Sequence, residues 1–120
     1  MSLDPETMQN AADDACELLK ALSNRHRLLI LCHLIEGEKS VGQLVEFLGI
    51  RDSTVSQHLA LLRKDRLIAG RRDGQMVWYH IESEAARRVV EVLYAMFCPP
   101  ERSNGPAAGT GSSAPAPRTR

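Results

Sequence analysis

The chain has no net charge: fifteen Lys and Arg residues balance fifteen Asp and Glu. That balance excludes a protein that is basic over its whole surface, so any attraction to a polyanion must come from charge gathered locally. No apolar run approaches the roughly 18 residues that a membrane span needs. The N-terminus also lacks the basic-then-apolar layout of a secretion signal. The expected setting is the cytoplasm, with no membrane partner. Cysteine is scarce, with three in 120 residues. In a reducing compartment such thiols are reduced, reactive or ligating rather than structural bridges. No paired carboxylates, Gly-rich phosphate loop or Ser/His/Asp grouping can be placed in a pocket, so an enzyme is the least expected reading. The length sets one domain as the starting expectation.

The charge is unevenly spread. Residues 1–17 hold five acids (Asp4, Glu6, Asp13, Asp14, Glu17) and no Lys or Arg. Residues 51–72 hold six basic residues (Arg51, Arg63, Lys64, Arg66, Arg71, Arg72) against Asp52 and Asp65. The positive stretch begins inside SVGQLVEFLGIRDSTVSQHLALLRK, residues 40–64, which reads as two helices joined by a tight turn. Ser40 with Gln43 three residues on forms a capping box. Val41, Leu44, Val45 and Leu48 come next at helical spacing, and Gly49 supplies the left-handed stop. Asp52 or Ser53 is the expected N-cap of the next helix.

That second helix divides its faces unusually. Val55, Leu59 and Leu62 group on one side. Ser53, Gln57, Ala60 and Lys64 group opposite, flanked by Thr54 and Ser56. Short hydroxyls and an amide let a helix lie close to base edges, and Gln, Ser and Thr are base-reading types. The face suits the recognition helix of a helix-turn-helix, although a solvated bundle helix would also carry it. The stretch of chain after this helix favours nucleic acid. In LIAGRRDGQMVWYHI the Asp73-Gly74 pair is a two-residue hairpin signal. It is expected to pair Arg72 with Gln75, Arg71 with Met76 and Ala69 with Trp78, with Val77, Tyr79 and Ile81 on one half-buried face. A basic hairpin after a reading helix is a wing that lies on a phosphate backbone or in a minor groove.

The flanking elements are helices. One begins near Ala11 after a frayed 1–9 stretch, striped by Ala15, Leu18, Leu19 and Leu22, with Cys16 as a small buried or half-buried neighbour. Ser23 is the expected cap of the next, which runs to about Glu36 and closes at Gly37. Leu28, Leu29, Leu31, Leu34 and Ile35 surround it, so it is the central core helix. Arg25, His26 and Arg27 in its first turn oppose the helix dipole, which calls for a DNA phosphate or an acid of the first helix as partner. A last helix starts after Ser83, striped by Ala86, Val89, Val90, Leu93 and Phe97 and stopped by Pro99-Pro100. It has little left to cover in its own domain and is a natural dimer surface together with the first helix. Residues 101–120 lack large apolar side chains and read as a disordered tail, after a domain at 1–100.

The order helix, helix, helix-turn-helix, hairpin, helix is mainly α with a small β-hairpin: a winged helix-turn-helix with an added terminal helix. ALSNRHRLLIL, DSTVSQHLALLRKDRLI and GRRDGQMVWYHI each resemble a characteristic stretch of the ArsR/SmtB family, and the likeness covers roughly residues 11–98. The resemblance implies a homodimer, paired through its first and last helices, that binds palindromic double-stranded operator DNA and represses neighbouring genes. Ser53, Thr54, Ser56, Gln57 and His58 would carry the reading edge. Arg71, Arg72 and Gln75 would meet the backbone or minor groove.

Many members of that family sense metals, through cysteines of the third helix or through His and carboxylates of the last. Here VGQLVEFL has no Cys, and the last helix has no His but carries Arg87 and Arg88. No metal site and no cofactor are expected, with His33 and His80 read as lone core or surface residues. A metal-responsive repressor and a general thiol-oxidation sensor stand as alternatives. Cys32 and Cys98 resemble instead the thiol pair of the persulfide-sensing, BigR/SqrR-like branch. That likeness implies that reactive sulfur species join the two helices within one protomer. Two cysteines of no consequence are the plainer reading of the residues alone. Apolar surroundings are expected to raise the pKa of Cys32.

Overall fold

A computed structural model of the chain describes residues 4–98. The elements are α1 (Pro5–Leu22), α2 (Arg25–Ile35), β1 (Lys39–Ser40), α3 (Val41–Leu48), α4 (Asp52–Lys64), β2 (Ile68–Asp73), β3 (Met76–Ile81) and α5 (Glu84–Phe97). The expected winged helix-turn-helix is present, with one addition. The two-residue β1 pairs with β3, giving a three-stranded antiparallel sheet in the order β1-β3-β2. So short a strand has no periodicity of its own, and it forms because the chain entering α3 runs along the edge of the hairpin. No helix among the described residues is long and apolar enough to cross a membrane. The expected Pro99-Pro100 stop and the 101–120 tail lie outside the described residues, as does the boundary placed at residue 100.

Local chemistry accounts for most helix ends. Asp4 caps α1, its side chain accepting the Thr7 N–H at 2.9 Å, and Pro5 occupies the first turn. The helix therefore starts well before Ala11, and residues 5–9 are helical rather than frayed, because a cap and an N-terminal proline start a helix without an apolar stripe. Asn24, not Ser23, caps α2, accepting the Arg27 N–H at 3.1 Å. Ser23 instead donates its hydroxyl to the Lys20 carbonyl at the end of α1. The α3 capping box has both halves: Gln43 N–H to Ser40 Oγ at 3.2 Å and Ser40 N–H to Gln43 Oε1 at 3.0 Å. Gly49 closes α3 with φ +68°. Neither expected cap of α4 serves: Arg51 stands at the N-cap without a side-chain bond, and Asp52 is already inside the first turn. There its carboxylate complements the positive end of the helix. Ser83 caps α5 through the Ala86 N–H, 3.0 Å.

The core lies between α2, α3, α4, the inner side of α5 and the inner face of the sheet. Ile30, Leu31, Leu34, Leu44, Val55, Leu59, Leu62 and Val90 are almost wholly buried. Each such side chain contributes about 1.5–3 kcal/mol on leaving water, so the apolar face of α4 is anchored along its length. The ring of His33 stacks on Phe47 at 4.5 Å and 13°, tying α2 to α3. Leu67 is a main-chain junction. Its N–H bonds the Leu62 carbonyl at 3.0 Å, and its carbonyl accepts from Glu82 and Ser83 at 2.9 and 3.2 Å. The end of α4, the base of the hairpin and the entry to α5 thus meet at one residue.

The stripe of α1 is mostly open in the single chain, and the expected burial of Cys16 is corrected. In α1 only Ala21 and Leu22 are buried and Leu18 half-buried, while Ala15 is exposed and Leu19 is 57% exposed. Cys16 is exposed, not buried. A single chain offers that stripe nothing to pack on beyond its last turn.

Candidate nucleic-acid interface and thiol pair

The turn between β2 and β3 is displaced from the expected one. Asp73 pairs with Met76, Arg72 with Val77, Arg71 with Trp78 and Ala69 with His80. The two turn residues are therefore Gly74 and Gln75, one place further along. Gly74 has φ +64° and no residue beside it does, the arrangement of a type II′ turn with glycine at its first central position. An Asp73-Gly74 turn of type I′ would have put the aspartate itself at positive φ. Gly70 is required for a second reason: a Cβ there would sit 2.9 Å from Val77 Cγ1 and 3.2 Å from the Tyr79 ring.

This register sorts the wing side chains. Val77, Tyr79 and Ile81 turn inward as expected. Arg72 and Gln75 are exposed near the tip. Arg71 shares the outer face with Trp78 and is already engaged. Its Nη2 and Nε donate to the two carboxylate oxygens of Glu38, at 2.7 and 3.1 Å. The Arg71 bonds hold the Glu38 carboxyl below its ordinary pKa. His80 Nδ1 lies 3.6 Å from the same carboxylate.

On α4 the expected division of faces is present. Val55, Leu59 and Leu62 point into the core, and Ser53, Ser56, Gln57, Ala60 and Lys64 are exposed, with Thr54 half-buried. His58 is half-buried on the flank. Its ring centroid is 5.8 Å from that of His26 on α2, tilted by 39°. Burial, then the charges of Arg27 and His26, hold its pKa below the ordinary value. Sequence reasoning does not bring His26 to His58, because the two lie on helices separated by α3. The basic turn of α2 finds a partner of a different kind from those expected. Arg27 Nε donates to the Ala21 carbonyl at the end of α1, 2.9 Å, so it satisfies a main-chain acceptor rather than an acid.

Cys32 is half-buried in α2, and Cys98 is exposed as the C-cap of α5. Burial pushes the Cys32 thiol up, as expected, and the charge of Cys98 adds to the effect. The helices that carry these two cysteines, α2 and α5, pack together. All three cysteines are free thiols. Among the described residues no group of three His, Cys, Asp or Glu side chains is placed to hold a metal ion.

Residues 24–69 match the description "Bacterial regulatory protein, arsR family". The chain is 40% identical over 96 residues to the biofilm growth-associated repressor of Agrobacterium fabrum, covering 80% of this chain and 82% of that one. It is similar to the solved structure of BigR, a transcriptional repressor of Xylella fastidiosa, with TM-score 0.74 and 37% identity over 82% of this chain and 98% of that one. Reduced HlyU of Vibrio cholerae superposes with TM-score 0.75 and 40% identity over 78% of this chain and 98% of that one; HlyU is described as a transcriptional activator.

Proposed function

The chain belongs to the arsR family of bacterial DNA-binding transcriptional regulators, and from that premise we propose a homodimeric repressor released from its operator when reactive sulfur joins Cys32 to Cys98. Ser53, Thr54, Ser56, Gln57 and His58 carry base reading on α4, while Arg72 and Gln75 meet the backbone or minor groove. Pairing through α1 and α5 sets two reading helices about one DNA turn apart. The apolar side chains those helices leave in water, Leu19, Val92, Met96 and Phe97 among them, support that pairing.

The observation that supports the switch is the placement of Cys32 in α2 and of Cys98 at the end of α5, two helices that pack against one another. One thiolate attacks the outer sulfur of an organic persulfide, forming a protein persulfide and expelling the organic thiol. The second thiolate attacks the inner sulfur of that group, which closes a disulfide and releases hydrogen sulfide. Both cysteines are oxidised and the sulfane sulfur is reduced. A raised thiol pKa disfavours the thiolate, so slow reaction with peroxide is consistent with this site. The bridge fixes the spacing of a core helix and a dimer helix. A resulting change in tilt of the reading helices costs about 1–3 kcal/mol, or 5- to 150-fold in operator affinity. Repression is supported by the names of two relatives, and redox dependence by a relative whose structure is distinguished as reduced.

The test is DNA binding to the region upstream of the gene, before and after an organic persulfide, with intact-mass spectrometry. Loss of binding with loss of two hydrogens is expected for the native chain. Cys32→Ser and Cys98→Ser should keep binding. Normal release from either serine variant would remove the sensing role, and equal response to peroxide would indicate a general thiol-oxidation sensor. On the DNA side, Gln57→Ala should weaken the cognate site more than random DNA. Arg72→Ala should weaken all sequences alike.

A further inference from the structure

The two neighbouring arginines of the wing are not equivalent. Arg72 is exposed, on the strand face shared with Val77, and has no carboxylate partner among the described residues. Arg71 projects from the opposite face and meets Glu38 through two parallel charge-assisted bonds. Glu38 lies just before β1, on the chain leading out of α2, and β3 separates it from β2. The ion pair therefore crosses the central strand and ties one edge of the sheet to the other. β1 runs directly into the capped start of α3, so the strap fastens the wing to the head of the helix-turn-helix.

Stability does not account for this pair. Both side chains are substantially in solvent, 52% and 33% exposed, where an ion pair contributes little. A bidentate arginine–carboxylate pair does, however, fix direction. It also occupies the fork that would otherwise take a phosphate. We propose that Glu38 is a positioning residue that reserves Arg71 as a strut of the wing and leaves Arg72 as its phosphate contact. The inference rests on reading the hairpin as a backbone-contacting wing, and the Arg72→Ala arm of the experiment reports on that reading separately.

Counterion release makes the two arginines distinguishable. The slope of log affinity against log salt changes by about 0.9 for each phosphate contacted. The experiment measures that slope on a random-sequence duplex with the full chain in its reduced form. Arg72→Ala should flatten the slope by about one contact, and Arg71→Ala should leave it unchanged. Glu38→Gln should steepen it by about one contact, because the released Arg71 fork reaches the backbone. The double variant Glu38→Gln/Arg71→Ala should return to the native slope; if it stays steep, the gain was the loss of a negative charge and the proposal falls. It falls equally if Arg71→Ala flattens the slope as Arg72→Ala does, or if Glu38→Gln leaves the slope where it was. Circular dichroism checks that each variant is folded, and Arg71→Lys, which keeps the charge but loses the fork, should also keep the native slope. A flattened slope there overturns the assignment without removing the cation.

Discussion

The part of the molecule built from α3, α4 and the wing differs in kind from the part built from α1 and α5. In the first, α3 is capped at both ends and Leu44, Val55, Leu59 and Leu62 are at most 1% exposed. Its exposed large apolar side chains, Phe47, Leu61 and Met76, are at most 49% exposed. In the second, Leu19, Val92, Met96 and Phe97 stand 57–74% exposed. The reading head is complete within one chain, whereas the outer pair of helices carries apolar surface that one chain cannot cover. Under the proposed function, recognition and dimer assembly are therefore separable physical problems, and substitutions should distinguish them.

The largest expected effect is on assembly. Val92→Glu places a charge on the open α5 face, and sedimentation should show loss of the dimer with operator affinity lowered about 100-fold or more through loss of the second half-site. A variant that still sediments as a dimer would move the interface off α5. Next comes Leu59→Ala, which opens a cavity beneath the reading face. Urea unfolding should lose about 2–5 kcal/mol, whatever the protein concentration. A loss much below that would mean the head is less self-contained than its burial implies.

The smallest effect is a pH dependence carried by His33 on α2 and His58 on α4. Burial holds His33 and His58 below their ordinary pKa of 6.5. As pH falls through that value the unfolded chain takes up protons that the folded chain does not, so stability is full above it and declines below it. Thermal unfolding between neutral and mildly acid pH should show a falling midpoint, flattened in His33→Gln and His58→Gln. An unchanged slope in both variants would assign the dependence to other groups.

How far the amino-acid order foretells this structure depends on how local each cause is. The Ser40–Gln43 box, the Gly49 stop and the Val55/Leu59/Leu62 face are set within one or two helical turns, and each is legible. The pairing of Cys32 with Cys98 is proposed from family likeness and not from spacing. The start of α1 escapes although Asp4-Pro5 is a cap signal, because apolar periodicity places helices where stripes begin. The hairpin turn is shifted because Asp-Gly suits two turn types, and only the strand register decides between them. Glu38 is invisible as a wing residue: its partner Arg71 is 33 positions away, and no local pattern links them. Cys16 misleads because a helical stripe shows what wants burial, not whether the same chain supplies the cover.

The junction at Leu67 bears on how such a protein would answer a mutational survey. The bonds joining the end of α4 to the entry of α5 run between peptide groups, so they survive the exchange of any side chain there. Alanine scanning would report the buried Leu62 and Leu67 side chains and the Ser83 cap, and not these main-chain bonds. Proline at 82 or 83 removes an amide donor outright, and only a lesion of that type would expose a route that belongs to the backbone.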